Sequence, residues 1–204
     1  MSYRLLFVCT ANVCRSPLME FTFSSCLDDV DRWSIDSRGT NVTRQSSMCS
    51  RGRSLITVPR VSHLADRHLS AAVTAADLKA ADLVVTASRE ERSNLARVLP
   101  SSRPYTFTLR EALALGEANS RVESSQKIDV ASLLAGYAAI LNSRRGSVVP
   151  PRSPRFLWGE RVNPMDTPDV HHSRPYRHSA VLERVRDDTQ MLQQRIATFI
   201  RQRS

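Results

Sequence analysis

Short apolar runs alternate with stripes at helical spacing along most of this chain. Tyr3 to Val8 is a run of buried-strand type that ends at Cys9. Small polar residues follow from Thr10 to Ser16. Pro17 then suits the first turn of a helix, where its missing N–H costs nothing, and Leu18, Phe21 and Leu27 line one face. Trp33 to Asp36 predicts a second strand ahead of the turn residues Ser37, Arg38, Gly39 and Thr40. Residues 43–67 carry no clear period, and Pro59 interrupts them. Thr74 caps a short helix running through Ala80, Leu83 to Thr86 is an apolar strand, Arg89 to Val98 is helical, and Tyr105 to Thr108 is a fourth strand. From Tyr176 to Arg203, Val181, Leu182, Val185, Leu192, Ile196 and Phe199 form a helical stripe that closes the domain.

Strands alternating with helices at this interval predict βαβ units: an α/β fold with a parallel sheet and helices on both faces. The 204 residues suit a single domain spanning 1–204. The alternation lapses after the fourth strand, so the stretch at about 111–163 reads as an insertion. It holds one helix, Ile128 to Leu141, and then a Pro/Arg/Ser-rich loop from Ser143 to Pro154. Arg144, Arg145, Arg152 and Arg155 there read as a solvated charged loop, with attraction of an acidic partner as the alternative.

Charge narrows the partners. The 29 basic residues against 20 acidic ones give a net charge of +9, and all the basic residues but Lys79 and Lys127 are arginine. This favours anionic partners in general. Aromatic residues make up only 6% and do not interleave with the arginines, so no base-stacking surface and no nucleic-acid partner are expected. No apolar run approaches the roughly 20 residues that span a bilayer, and Leu5 to Val8 is too short for a signal-peptide core. A cytoplasmic location away from membranes is the expectation. Cys9, Cys14, Cys26 and Cys49 all lie in the first quarter of the chain, without a CxxC. His63, His68, His171, His172 and His178 show no zinc-ligand spacing with them, so neither metal nor other cofactor is expected. Clustered thiols of this kind are either reactive or small buried side chains.

Cys9-Thr10-Ala11-Asn12-Val13-Cys14-Arg15-Ser16-Pro17 places a cysteine and an arginine at the spacing of a phosphate-cradling loop. Backbone N–H groups at Thr10, Ala11, Asn12, Val13 and Cys14 can converge on phosphoryl oxygens while the Arg15 guanidinium grips two of them. The loop leads from a strand into a helix, and both the helix start and Arg15 favour a thiolate at Cys9. Cys26 and Arg32 share the spacing, but Asp28, Asp29 and Asp31 between them would repel a phosphate. Between Cys9 and Arg15 there is no acid.

Val8 to Pro17 resembles the signature loop of low-molecular-weight protein tyrosine phosphatases, V-C-x-G-N-x-C-R-S-P, with Ala11 standing for Gly. Asp36-Ser37-Arg38-Gly39-Thr40 resembles the family's D-S-A-G-T turn, with Arg38 for Ala. His68 with Val73-Thr74 and Asp77-Leu78 resembles its H-x-x-x-x-[VL]-T-x-x-D-[LF] stretch, with Ala71 where Arg is usual. The resemblance spans about 3–110 and 163–202. It implies a three-layer αβα fold on a four-stranded parallel sheet, flavodoxin-like, of the phosphotyrosine protein phosphatase I type.

The resemblance implies a phosphotyrosine-protein phosphatase that hydrolyses aryl phosphomonoesters through a phosphocysteine, inhibited by inorganic phosphate or another oxyanion. Cys9 would be the nucleophile. Arg15 and the loop amides would hold the equatorial oxygens, and Ser16 would donate to the thiolate. Asn12 would tie the loop to Ser37 and His68. The acid that protonates the leaving oxygen would lie downstream, in Asp166-Thr167-Pro168-Asp169-Val170-His171-His172. Asp169 matches the family's D-x-P-D-P by position, with Asp166 as the alternative, and His171 replaces the tyrosine that lines the family's pocket. A reversible Cys9–Cys14 disulfide is also implied. Two other readings are an arsenate reductase using an external thiol, since no cysteine follows Cys49 to form an internal relay, and a non-catalytic phosphate- or phosphoprotein-binding module. A phosphoarginine substrate goes with a loop carrying Thr where this chain has Val13.

Overall fold

The computed structural model describes residues 2–117, 132–147, 163–169 and 175–203. Its centre is a four-stranded, all-parallel sheet: β1 (Tyr3–Cys9), β2 (Trp33–Gly39), β3 (Leu83–Thr86) and β4 (Thr106–Thr108), in the order β2-β1-β3-β4. The chain leaves β1 for a neighbour on one side and later places β3 on the other. The carboxyl end of β1 is therefore the topological switch point, where open α/β sheets form their binding crevice. Register puts Cys9 opposite Gly39, and Val8 opposite both Arg38 and Thr86.

The period of two along β1 sorts its side chains between two cores. Leu5 and Phe7 face the larger one, together with Leu83, Val85 and Phe107; Leu6 and Val8 face a thinner one with Val84, Leu78 and Leu95. Helices α1 (Arg15–Ser25) and α8 (Pro175–Arg201) cover the larger face. Helices α4 (Ala75–Ala80) and α5 (Arg89–Val98) contribute Leu78 and Leu95 to the other. The fold is the three-layer, flavodoxin-like αβα arrangement.

Several elements differ from the sequence reading for identifiable reasons. Helix α1 begins at Arg15, so the polar stretch gives up its last two residues and Pro17 still falls in the first turn. The segment 43–67 forms two short helices, α2 (Ser50–Ser54) and α3 (Pro59–Asp66); Pro59 starts a helix there, as its preset φ favours. Strand β4 begins one residue late because Tyr105 closes a 3-10 segment, Pro100–Tyr105, and donates its hydroxyl to Leu78 O at 3.2 Å. The Thr74 cap is present, and its backbone N–H donates reciprocally to the Asp77 carboxylate.

The stretch read as an insertion with one helix holds two among the described residues, α6 (Leu109–Glu117) and α7 (Leu133–Ser143). Thr108 and Glu111 start α6 as a capping pair: Glu111 N donates to Thr108 Oγ1 at 3.1 Å, and Thr108 N to Glu111 Oε2 at 3.2 Å. Ser132 caps α7, accepting from Ala135 N at 3.1 Å, so that helix starts at 133; residues 128–131 lie outside the described residues. Leu109, Ala112, Leu134, Tyr137 and Leu141 all enter the larger core. Arg144 and Arg145 are packed, not solvated. Arg144 donates to Leu115 O at 3.0 Å, and the Arg145 guanidinium lies 4.1 Å from the Phe107 ring centroid. Arg152 and Arg155 lie outside the described residues.

No helix among the described residues is long and apolar enough to cross a membrane.

Candidate active site

The loop between β1 and α1 is held by its carbonyls. Thr40 N donates to Cys9 O at 2.9 Å, Asn41 N to Thr10 O at 2.8 Å, Cys49 N to Val13 O at 2.9 Å, and Leu18 N to Cys14 O at 3.2 Å. His68 Nε2 donates to Asn12 O at 2.9 Å. Among the described residues, the amides of Ala11, Asn12 and Val13 have no such acceptor. With its carbonyls bound outward, the loop offers these N–H groups to an anion. Gly39 makes the close packing of β2 on the loop attainable: a Cβ there would lie 2.7 Å from Thr10 O and 3.0 Å from Asn12 N.

Asn12 sits at φ 56, the one non-glycine positive φ among the described residues. Ala11, in the glycine position of the family pattern, is exposed and outside that region, so its methyl adds no backbone strain there. Asparagine tolerates the left-handed conformation, and here every arm of its amide is used. Asn12 Nδ2 donates to Ser16 Oγ and to Ser37 Oγ, each at 2.9 Å, and its Oδ1 accepts from Ala71 N at 2.9 Å. The substitution at Ala71 is neutral for this contact, which uses only the backbone. Arg38 likewise turns away from the loop, its Nε 3.3 Å from Asp77 Oδ1, while its carbonyl oxygen lies 3.2 Å from Ser16 Oγ.

Cys9, 2% exposed, lies 3.0 Å from Ser16 Oγ. The Ser16 hydroxyl has one proton and two candidate acceptors, the sulfur and Arg38 O. Donated to the sulfur, that proton would stabilise the charge of a thiolate. His68 donates to a carbonyl, which requires Nε2–H; burial lowers its pKa, opposed by the Asn12 bond, and keeps the ring neutral.

Arg15 is 4% exposed and reaches across the loop. Its Nη2 meets Thr10 Oγ1 at 3.2 Å, Glu91 Oε1 at 3.4 Å and Asp169 Oδ2 at 2.5 Å; its Nη1 donates to Thr167 O at 3.1 Å. Burial works against the charge on Arg15, but Cys9, Glu91, Asp169 and Cys14 outweigh it and hold the guanidinium firmly protonated. Thr167 N in turn donates to Ala87 O at 2.9 Å, fixing the 163–169 segment beside the end of β3. Asp169 thus stands at the loop. Asp166 does not: it takes Arg89 N at 2.9 Å and the Arg89 guanidinium at 3.1–3.2 Å. Val170, His171 and His172 lie outside the described residues. Arg32, partner of Cys26 in the decoy motif, donates instead to Tyr3 Oη at 2.9 Å.

Two acids that the sequence reading passed over support the site. Glu91, 2% exposed, accepts from Thr10 Oγ1 at 2.8 Å and bonds Ser88 Oγ. The S-x-x-E pattern from Ser88 to Glu91 would have marked it as a helix-start residue, though not as an arginine partner. Glu20, half-buried on α1, accepts from Ser37 Oγ at 2.5 Å and ends the chain Cys9–Ser16–Asn12–Ser37–Glu20. Burial, eased by the Ser37 bond, pushes the Glu20 carboxyl up from 4.5 to about 7.

The folded state therefore holds the Glu20 proton more tightly than the unfolded chain does. That contribution to stability is complete below pH 4.5 and is lost as the pH rises through about 7. Glu20→Gln keeps an acceptor for Ser37 without the charge. Above pH 7 it is expected to exceed the native chain in stability by about 1–3 kcal/mol, with the gap closing toward pH 4.5. Urea unfolding at the two pH values measures this.

These features define an amide-lined loop with a buried sulfur and a buried guanidinium at an α/β switch point, the guanidinium paired with the carboxylates of Glu91 and Asp169. Residues 4–123 match the family model described as low molecular weight phosphotyrosine protein phosphatase. The chain is 33% identical over 108 residues to the low molecular weight protein-tyrosine-phosphatase PtpB of Staphylococcus aureus, covering 53% of this chain and 72% of that one. It is 28% identical over 113 residues to a protein-arginine-phosphatase of Bacillus subtilis, covering 52% and 70%. Among solved structures, the tyrosine phosphatase Wzb of Escherichia coli K30 in complex with phosphate superimposes with a TM-score of 0.59 at 13% identity, over 95% of this chain and 98% of that one. A YwlE mutant from Bacillus subtilis gives 0.60 at 17% identity, over 95% and 97%. The two structural likenesses bear on the fold alone. The chain belongs to the low molecular weight phosphotyrosine protein phosphatase family.

Proposed function

We propose that this protein hydrolyses phosphotyrosine in proteins through a phosphocysteine formed at Cys9, without a metal or other cofactor. The observation that carries the reading is the convergence of Cys9, Arg15 and Asp169 on one amide-lined loop. The phosphoryl group enters with its equatorial oxygens on the loop amides and Arg15, displacing the Asp169 carboxylate from the guanidinium. Cys9 Sγ attacks phosphorus in line as the bond to the phenolic oxygen breaks. Asp169, released from Arg15, takes the proton that the phosphomonoester monoanion carries in and delivers it to that oxygen. It then takes a proton from the water that attacks phosphocysteine, returning the thiolate to the hydroxyl of Ser16. Inorganic phosphate, the product, occupies the same cradle and inhibits. The phosphotyrosyl preference rests on family membership and on Val13, where the phosphoarginine pattern has Thr.

Aryl phosphate hydrolysis by Asp169→Asn and Asp166→Asn tests the assignment of the acid. Asp169→Asn is expected to lose about 10²–10⁴-fold in kcat. Asp166→Asn, removing only the partner of Arg89, stays within about tenfold. Equal losses would place the acid elsewhere.

A further inference from the structure

Cys14, Cys49 and His178 come from three distant parts of the chain, and their ligand atoms lie within 4.8 Å of one another. Cys14 precedes α1, Cys49 caps α2 by accepting from Gly52 N at 3.4 Å, and His178 is in the first turn of α8. The Val13 O to Cys49 N bond holds two of these elements together. Cys14 and His178 are 8% and 3% exposed, while Cys49 is only partly covered and gives a way in from solvent. Cys14 donates its S–H to Cys49, which raises the Cys14 pKa and lowers that of Cys49. Cys49 Sγ lies 4.0 Å from His178 Nε2.

We propose that these three side chains bind a zinc-type divalent cation beside the catalytic loop. Two thiolates and an imidazole are the donor set that borderline-soft d¹⁰ ions select, and the absence of any carboxylate among the three disfavours magnesium and calcium. Zinc–sulfur and zinc–nitrogen bonds of about 2.3 and 2.0 Å put neighbouring tetrahedral ligands about 3.5 Å apart. The 4.0 Å separation closes to that value by small side-chain rotations. Two thiolates offset the ion's charge, so a neutral assembly is buried rather than a charged one. Each S–H bond replaced by a sulfur–metal bond sends its proton to buffer, so binding weakens as the pH falls. The bound ion joins α1, α2 and α8 at the base of the loop. It also withholds Cys14 from any disulfide with Cys9.

The test is binding, not turnover, so its outcome is independent of the proposed phosphatase reaction. Reduced, metal-free protein is titrated with Co²⁺, read by thiolate-to-cobalt charge transfer and tetrahedral d–d absorption, and Zn²⁺ is then added to displace it. One ion per chain is expected, with an unchanged spectrum in Cys9→Ser. Cys49→Ser, which keeps an oxygen to cap α2, and His178→Ala are each expected to weaken binding at least about 100-fold. No tetrahedral spectrum at micromolar metal would overturn the proposal. So would a spectrum lost in Cys9→Ser and kept in Cys49→Ser, because the ion would then sit on the nucleophile.

Discussion

Cys9→Ser is expected to abolish turnover of an aryl phosphate, by at least about 10⁴-fold in kcat, while leaving the fold and phosphate binding intact. The sulfur is buried, 3.0 Å from Ser16 Oγ. A serine oxygen fits the same space. A serine hydroxyl is intrinsically a far weaker acid than a thiol and a poor nucleophile until its proton is removed. The cradle itself is made from other parts: the amides of residues 11–13 and Arg15. Thermal unfolding and inhibition constants for phosphate separate the outcomes. Lost activity with lost phosphate binding would mean that Cys9 holds the loop together rather than attacking phosphorus.

The second large effect is expected at Arg15. Arg15→Lys keeps one positive charge near Glu91 and so avoids leaving that buried carboxylate alone, which separates chemistry from collapse of the fold. It loses the planar fork, whose two arms now reach Thr167 O on one side and Thr10, Glu91 and Asp169 on the other. A lysine supplies a point charge that cannot span two phosphoryl oxygens in fixed geometry. The expected loss is about 10³-fold in kcat, with phosphate inhibition weakened as well. If kcat falls and phosphate binds as before, Arg15 acts only in the transition state; if neither changes, the guanidinium is not part of the cradle.

The strands and long helices were legible because their signals are local. A period of two sorts Leu5 and Phe7 from Leu6 and Val8, and a helical stripe marks Leu182, Val185, Leu192 and Ile196, all without knowledge of neighbours. Helix α6 escapes the pattern although Thr108 and Glu111 spell its cap, because its apolar residues run on into an irregular stretch. Pro59 reads along the sequence as a break, whereas its first-turn position makes it a start. The candidate loop is legible for a different reason: a strand, a tight turn and a helix start are contiguous, so one segment of sequence encodes it. Its partners are not contiguous. Glu91, Glu20 and the Cys14–Cys49–His178 group meet the loop only because parallel crossovers return the chain to the carboxyl end of β1, and no spacing along the sequence records that. Asp169 is a candidate by resemblance alone, and its closeness to Arg15 comes from the anchoring of Thr167 on Ala87 O.

The covalent step at Cys9 is tested most directly by rapid-quench reaction of Asp169→Asn with an aryl phosphate labelled at phosphorus. Slowed hydrolysis by this variant allows the intermediate to accumulate. The account predicts a burst of aryl alcohol and up to one label per chain, carried on the peptide that contains Cys9 and absent when Cys9→Ser is added. Catalytic turnover without a labelled Cys9 peptide, or with the label on another residue, would contradict it.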